Sequence, residues 1–204
     1  MEQVLGMKKY MFISLLIFLI VYLFFFSSSA KTYPPGILVE AEPQQISLPV
    51  PLSWEHKGYQ ITALSSFTVE ARVLSKERYF FDRESELSPV DLALGWGVMS
   101  DQRVLDKMDI SQGNRWYYWH SRELPVGANV ISSHSANMHM ISSNEEIEKL
   151  LKSVEKGDVI ELSGYLVSVK ADDGWRWRSS LSRKDTGDGS CEVVWVQSFS
   201  IRES

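Results

Sequence analysis

Residues 159–201 read VIELSGYLVSVKADDGWRWRSSLSRKDTGDGSCEVVWVQSFSI. Three strand-like runs, Val159 to Lys170, Trp175 to Arg183 and Cys191 to Ile201, are separated by Asp172-Asp173-Gly174 and Gly187-Asp188-Gly189. Both separators contain Asp-Gly, and a three-residue hairpin loop takes glycine in the left-handed position. With that loop length Tyr165, Val167 and Val169 pair with Leu181, Ser179 and Trp177. The parity carries across the second turn, so Trp177, Ser179 and Leu181 face Phe199, Gln197 and Trp195. The odd-numbered residues then share one mainly apolar face. A two-residue turn would set Trp177 beside Ser200 and spoil that face, so the pattern predicts a three-stranded meander.

Working outward, IEKLLKSV carries apolar residues at 147, 150, 151 and 154. Ser143 and Glu146 match a capping box in front of it and Gly157 ends it, which predicts a helix. Tyr59 to Leu64, Phe67 to Leu74, Arg115 to His120 and Asn129 to Ile141 have the β-branched and aromatic content of strands. Ser88-Pro89 places an N-cap serine before a first-turn proline and predicts a helix over PVDLALGW; Ser100 can cap a second helix over DQRVLDKM. The fold class expected is α+β, over a domain spanning 55–204. Gly157-Asp158-Val159 with Leu162-Ser163-Gly164-Tyr165 resembles the cadence of small Greek-key barrels of the oligonucleotide/oligosaccharide-binding (OB) kind, with Gly164 as a bulge or bend.

Upstream, five of the seven prolines fall between Pro34 and Pro51. Missing amide donors and fixed φ angles make 31–54 a Pro-rich linker or semi-extended stalk. The alternative is that Ile37-Leu38-Val39 and Ile46 to Leu52 lie along the domain as an edge strand, which the aliphatic content favours. Before it, YMFISLLIFLIVYLFFF runs from Tyr10 to Phe26 and no charge appears until Lys31. A run of that length predicts a transmembrane signal-anchor at 10–30. The rival is a cleaved signal peptide, since Ser28 and Ala30 satisfy the small-residue rule. Lys8 and Lys9 against Lys31 put residues 1–9 in the cytoplasm. The expected placement is the bacterial inner membrane, single-pass, with the C-terminal domain periplasmic.

The 204 residues carry 21 Lys and Arg against 26 Asp and Glu, a net charge of −5. That balance offers no basic field for a phosphate backbone, so nucleic acid is not an expected partner. The single cysteine, Cys191, excludes an intramolecular disulfide and a Cys-rich zinc cage, and neither metal nor cofactor is expected.

His134 and His139 are the densest imidazole pair, with His120 as a third. A spacing of five sets the first two on opposite faces of a regular strand, which argues against joint metal ligation. His134 with Ser133 or Ser135, or with Cys191, is the candidate for an exported hydrolase. No glycine-flanked nucleophile elbow accompanies it, and Cys191 shares parity with Val193 and Trp195, which favours burial as a small hydrophobe. Asp185-Thr186-Gly187 spells the aspartic-protease triplet, but it follows Ser182-Arg183-Lys184 rather than an apolar strand, so it reads as a turn.

RWYYWH and GWRWR are the unusual stretches. Alternation puts Trp116, Tyr118 and His120 on one side and Arg115, Tyr117 and Trp119 on the other, and opposes Arg176 and Arg178 to Trp175 and Trp177. Flat rings stack on apolar sugar faces and guanidinium groups hold carboxylates. Trp116, Trp119, Trp175, Arg176, Trp177 and Arg178 are therefore the candidate binding residues of a non-enzymatic, membrane-tethered envelope domain. The partner expected is peptidoglycan or another envelope protein.

HSANMHMI, GDVIELSGYLV and DGWRWRSSLSR, with the apolar segment and the stalk, resemble uncharacterised single-pass envelope proteins of Gram-negative bacteria. The likeness covers residues 59 to 200 and implies no activity.

Overall fold

The computed structural model divides into two units, Met1–Ala30 and Lys31–Ser204. It describes residues 10, 12–14, 16–18, 30–182 and 191–202. Of the expected signal-anchor at 10–30, the described residues 10, 12–14 and 16–18 are helical and the remainder up to 29 lie outside the described set. Among the described residues no helix is long and apolar enough to cross a membrane. A span needs about 20 continuous helical residues, and apolarity of a run is not by itself that helix. The transmembrane helix, the single-pass inner-membrane placement and the periplasmic assignment built on it are corrected accordingly.

The second unit is dominated by strands, which corrects the α+β expectation. Its strands are β1 Gln44–His56, β2 Tyr59–Arg78, β3 Val90–Gly95, β4 Asp109–Gly113, β5 Trp116–His120, β6 Ser135–Ser142, β7 Val159–Lys170, β8 Arg176–Arg178 and β9 Glu192–Ile201. Helices are short: α1 Gln102–Leu105, α2 Ala128–Ser133 and α3 Glu145–Ser153. PVDLALGW is a strand, because all six residues of β3 are buried between neighbours on both edges, and a short buried run without polar alternation suits a strand. Tyr59–Arg78 is one continuous strand whose pairing slips between Ala63 and Ser65, where two shorter strands were expected. The start of the expected Asn129 to Ile141 strand is helical, as α2. The helix before Gly157 is present, capped by Asn144, whose side chain accepts from the Ile147 amide at 3.0 Å, rather than by Ser143.

Pairing closes a ring. β2 pairs with β3, β3 with β6, β6 with β9 in parallel, β9 with β7, and β7 back with β2. This is a five-stranded closed barrel of the small Greek-key kind, with α3 between β6 and β7. Alternate residues of all five strands form one interior cluster, including Phe67, Leu92, Met140, Leu162 and Val196, and Ile147 and Leu151 of α3 join it.

The expected meander is corrected. Val169 does pair with Trp177, but β8 holds only three residues and β9 pairs with β7 instead, Leu162 with Phe199 and Tyr165 with Trp195. Since β2 occupies the other edge of β7 along its length, β8 and β9 share one edge end to end. Gly164 lies at the slip in the β7–β9 register, where a Cβ would run into the Trp195 carbonyl. The loop Gly187-Asp188-Gly189 and the triplet Asp185-Thr186-Gly187 lie outside the described residues.

Residues 31–54 are part of the fold. β1 is antiparallel to β2, with Pro49 and Pro51 inside the interval where the register shifts between Ser47 and Leu52. Prolines are tolerated at such an edge irregularity because no ladder donor is required there. Upstream, the Lys31 amide donates to Lys156, the Gly97 amide donates to the Val39 carbonyl, and the Val39 side chain is buried in the interior cluster.

Candidate binding surface

The hairpin β4–β5 is a two-stranded sheet of its own. Its turn carries positive φ at Asn114 (53°) and Arg115 (67°), the pattern of a type I′ turn, in which the second place usually belongs to glycine. Arg115 is held there by its side chain. Nε and Nη2 donate to the two carboxylate oxygens of Asp82 at 2.9 and 2.7 Å, and Nη1 donates to Asp91 Oδ1 at 2.8 Å and to the Ser88 carbonyl at 2.9 Å. The guanidinium lies 3.8 Å from the Tyr79 ring centroid. Burial alone would lower the Arg115 pKa, but the hydrogen bonds and charges of Asp82 and Asp91 outweigh it and raise it. Asp82 is held below the usual carboxylate range by its hydrogen bond from Arg115, and burial pushes Tyr79 up to about 12.

Asp91 is fully buried on β3 and faces His139, its direct partner on β6; His139 Nδ1 lies 2.8 Å from Asp91 Oδ2. The His139 ring in turn lies 4.9 Å from Trp177. From there an aromatic row continues outward. Trp175 is 6.2 Å from Trp177 and 5.7 Å from Tyr59, and Arg83 stands 4.8 Å over the Trp175 ring while its Nη1 donates to Asp173 at 2.7 Å. The β2–β3 loop and the connection from β7 through β8 therefore meet at one mouth. On β8 Trp177 is half-buried, and the exposed Arg176 and Arg178 stand on the opposite face of the strand. Elsewhere on the β2–β3 loop Phe80 and Phe81 are 64% and 100% exposed, with the Arg78 guanidinium 5.2 Å over the Phe80 ring.

On the hairpin, Tyr117 and Trp119 pack against the cluster of Met99, Val104 and Ile131, whereas Tyr118 and His120 are exposed and Trp116 is half-buried. Trp116 and Trp119 thus belong to opposite faces of β5, and the mouth is built from Trp175 to Arg178. His134 Nδ1 lies 2.8 Å from the Val130 carbonyl, which can only accept, so that nitrogen carries its proton. Ser133 Oγ is 3.0 Å from the same nitrogen and donates to Val130 as well, so Nδ1 is not placed to take the serine proton. Ser135 is buried and donates to the Ile131 carbonyl at 2.7 Å, accepting from Tyr117 at 2.9 Å. Cys191 Sγ lies 3.8 Å from the Arg115 carbonyl, at the hairpin tip rather than beside His134. Among the described residues no group of three or more His, Cys, Asp or Glu could hold a metal ion.

Asp82, Asp91, Tyr79 and Arg83 escaped the sequence reading. The usable signals were an aspartate inside the apolar run VDLALG, an Asn-Arg pair at a hairpin turn, and adjacent phenylalanines in a loop. Compared with protein-family models, curated proteins and solved structures, the chain finds no match in any of the three.

Proposed function

We propose that the chain is a non-enzymatic binding module whose ligand is a carboxylate-bearing glycan, taken at the mouth formed by Arg83, Trp175, Arg176, Trp177 and Arg178. The observation that carries this reading is the alternation on β8, the last strand in the sheet order: Trp177 joins a ring row that ends at Tyr59 on one face, and the exposed Arg176 and Arg178 stand on the other, so a ligand that straddles this edge meets rings and guanidinium groups together. Stacking of aromatic faces on the apolar side of sugar rings, with guanidinium forks for carboxylates, is the chemistry such a row offers. The loops at one end of a small Greek-key barrel are where ligands of this kind are held. Peptidoglycan fragments combine sugar rings with peptide carboxylates and are the probe of choice. The full chain, titrated calorimetrically with soluble muropeptides, is expected to bind them, and chromatography of the recovered ligand is expected to show it intact. Cleaved muropeptides would replace this reading with the hydrolase, and binding only to a protein partner would replace the glycan.

A further inference from the structure

The hairpin β4–β5 rests on the outer side of β3 and β6 by two different kinds of contact. At its base Ile110, Tyr117 and Trp119 pack against Met99, Val104, Met108 and Ile131. At its tip the contacts are polar and reach buried groups. The Arg115 guanidinium fills a receptor of Asp82, Asp91, the Ser88 carbonyl and the Tyr79 ring. Buried Asn137 on β6 donates from Nδ2 to the Arg115 carbonyl at 3.0 Å and accepts from Gln112 Nε2 at 2.6 Å.

We propose that this face of β3 and β6 is a second binding site, for a peptide turn bearing an arginine, and that the hairpin tip occupies it in cis. Two carboxylates and an aromatic face recognise the guanidinium, and the Asn137 amide reads the main chain, so one face recognises side chain and backbone together. A two-stranded hairpin is marginal by itself, so the tip stays down through what the Arg115 side chain grips together with the hydrogen bonds to Asn137 and from the Arg115 amide to Tyr79 Oη. Arg115 is also the residue the turn favours least, since its φ of 67° suits glycine. Its side chain is therefore the reason for its position. The apolar base acts as the hinge while the tip lifts, and an incoming segment meets an affinity reduced by the fraction of time the tip is open. This site uses residues distinct from the mouth and goes beyond the glycan reading.

Arg115→Gly in the full chain tests it, because glycine suits the turn while the grip is lost. Amide exchange over residues 109–120 is expected to rise at least tenfold, with β3, β6 and β9 as protected as before. A synthetic peptide of sequence DISQGNRWYYWH is expected to bind this variant at least tenfold more tightly than the wild-type chain, and the same peptide with alanine for arginine not to bind. Exchange that rises in every strand together, a peptide that fails to bind the variant, or an alanine peptide that binds equally well overturns the proposal. Should Arg115→Gly fail to fold, Asp82→Asn loosens the grip at its outer carboxylate; hairpin exchange unchanged in that variant overturns the proposal too.

Discussion

Asp91 and His139 are direct cross-strand partners on β3 and β6, and their side chains meet at 2.8 Å with Asp91 fully buried. The same carboxylate takes Arg115 Nη1 at 2.8 Å, so one aspartate joins the barrel wall to the hairpin tip. A buried acceptor shared by two donors is costly to remove. Asp91→Ala leaves Arg115 and His139 facing a void, and the expected loss is about 3 to 5 kcal/mol of unfolding free energy, the usual size for breaking a buried pair. Urea denaturation monitored by tryptophan fluorescence measures it; a midpoint equal to that of the wild type would show the pair to be dispensable.

The acid and alkaline limits of stability follow from Asp82 and Tyr79. The Asp82 carboxyl is lowered below 3.8 by Arg115, so its contribution is present above about pH 4 and is lost as pH falls through the folded value. Tyr79 is raised from 10 to about 12 by burial, so its neutral form supports the fold below pH 10 and that support fades as pH rises toward 12. Thermal melts across pH should fall at both ends. Asp82→Asn should flatten the acid limb and Tyr79→Phe the alkaline one; limbs unmoved by either substitution would assign them to other groups.

Gly157 sets how residues 31–39 enter the barrel. Its φ is +94°, and a Cβ there would run into the Lys31 backbone, which hydrogen-bonds to Lys156. Gly157→Ala combines left-handed strain with that clash and is expected to cost about 1 to 3 kcal/mol. Exchange of the Lys31 amide should accelerate before that of β7, and equal protection in the variant would show that the approach has room to spare.

Phe80 and Phe81 support little of the fold at their exposure. Phe81→Ser is expected to leave the unfolding midpoint within about 0.5 kcal/mol of wild type, the range for surface substitutions. A larger loss would mean that the loop is packed in solution.

Residues whose surroundings are local were the legible ones. The α3 helix announced itself by apolar spacing and glycine, and Val169 met Trp177 because the Asp-Gly turn sets that register. Gly164 marked a bulge through its lack of a side chain. What escaped depends on distant partners. VDLALG read as a helix because nothing within it says that β2 and β6 flank it, and β9 left β8 for β7 because the ring closes through the parallel β6–β9 pair. For the candidate surface, alternation gave the placement of Trp177 on one face of β8 and of Arg176 and Arg178 on the other. Asp82, Asp91 and His139 join Arg115 only because four segments meet, a convergence that no spacing encodes. The stalk reading of 31–54 followed prolines, whereas its edge-strand alternative followed aliphatics, and the aliphatics decide where an edge can absorb a proline.

The glycan mouth is tested most directly by calorimetric titration of the full chain with muropeptides, comparing wild type with the Arg176→Ala/Arg178→Ala variant. Both arginines are exposed, so the variant should melt like the wild type. Loss of two charge-assisted contacts at about 1.5 to 3 kcal/mol each should weaken binding by at least about a hundredfold. Equal affinity in the two chains, with the fold intact, would contradict the assignment of this mouth as the ligand surface.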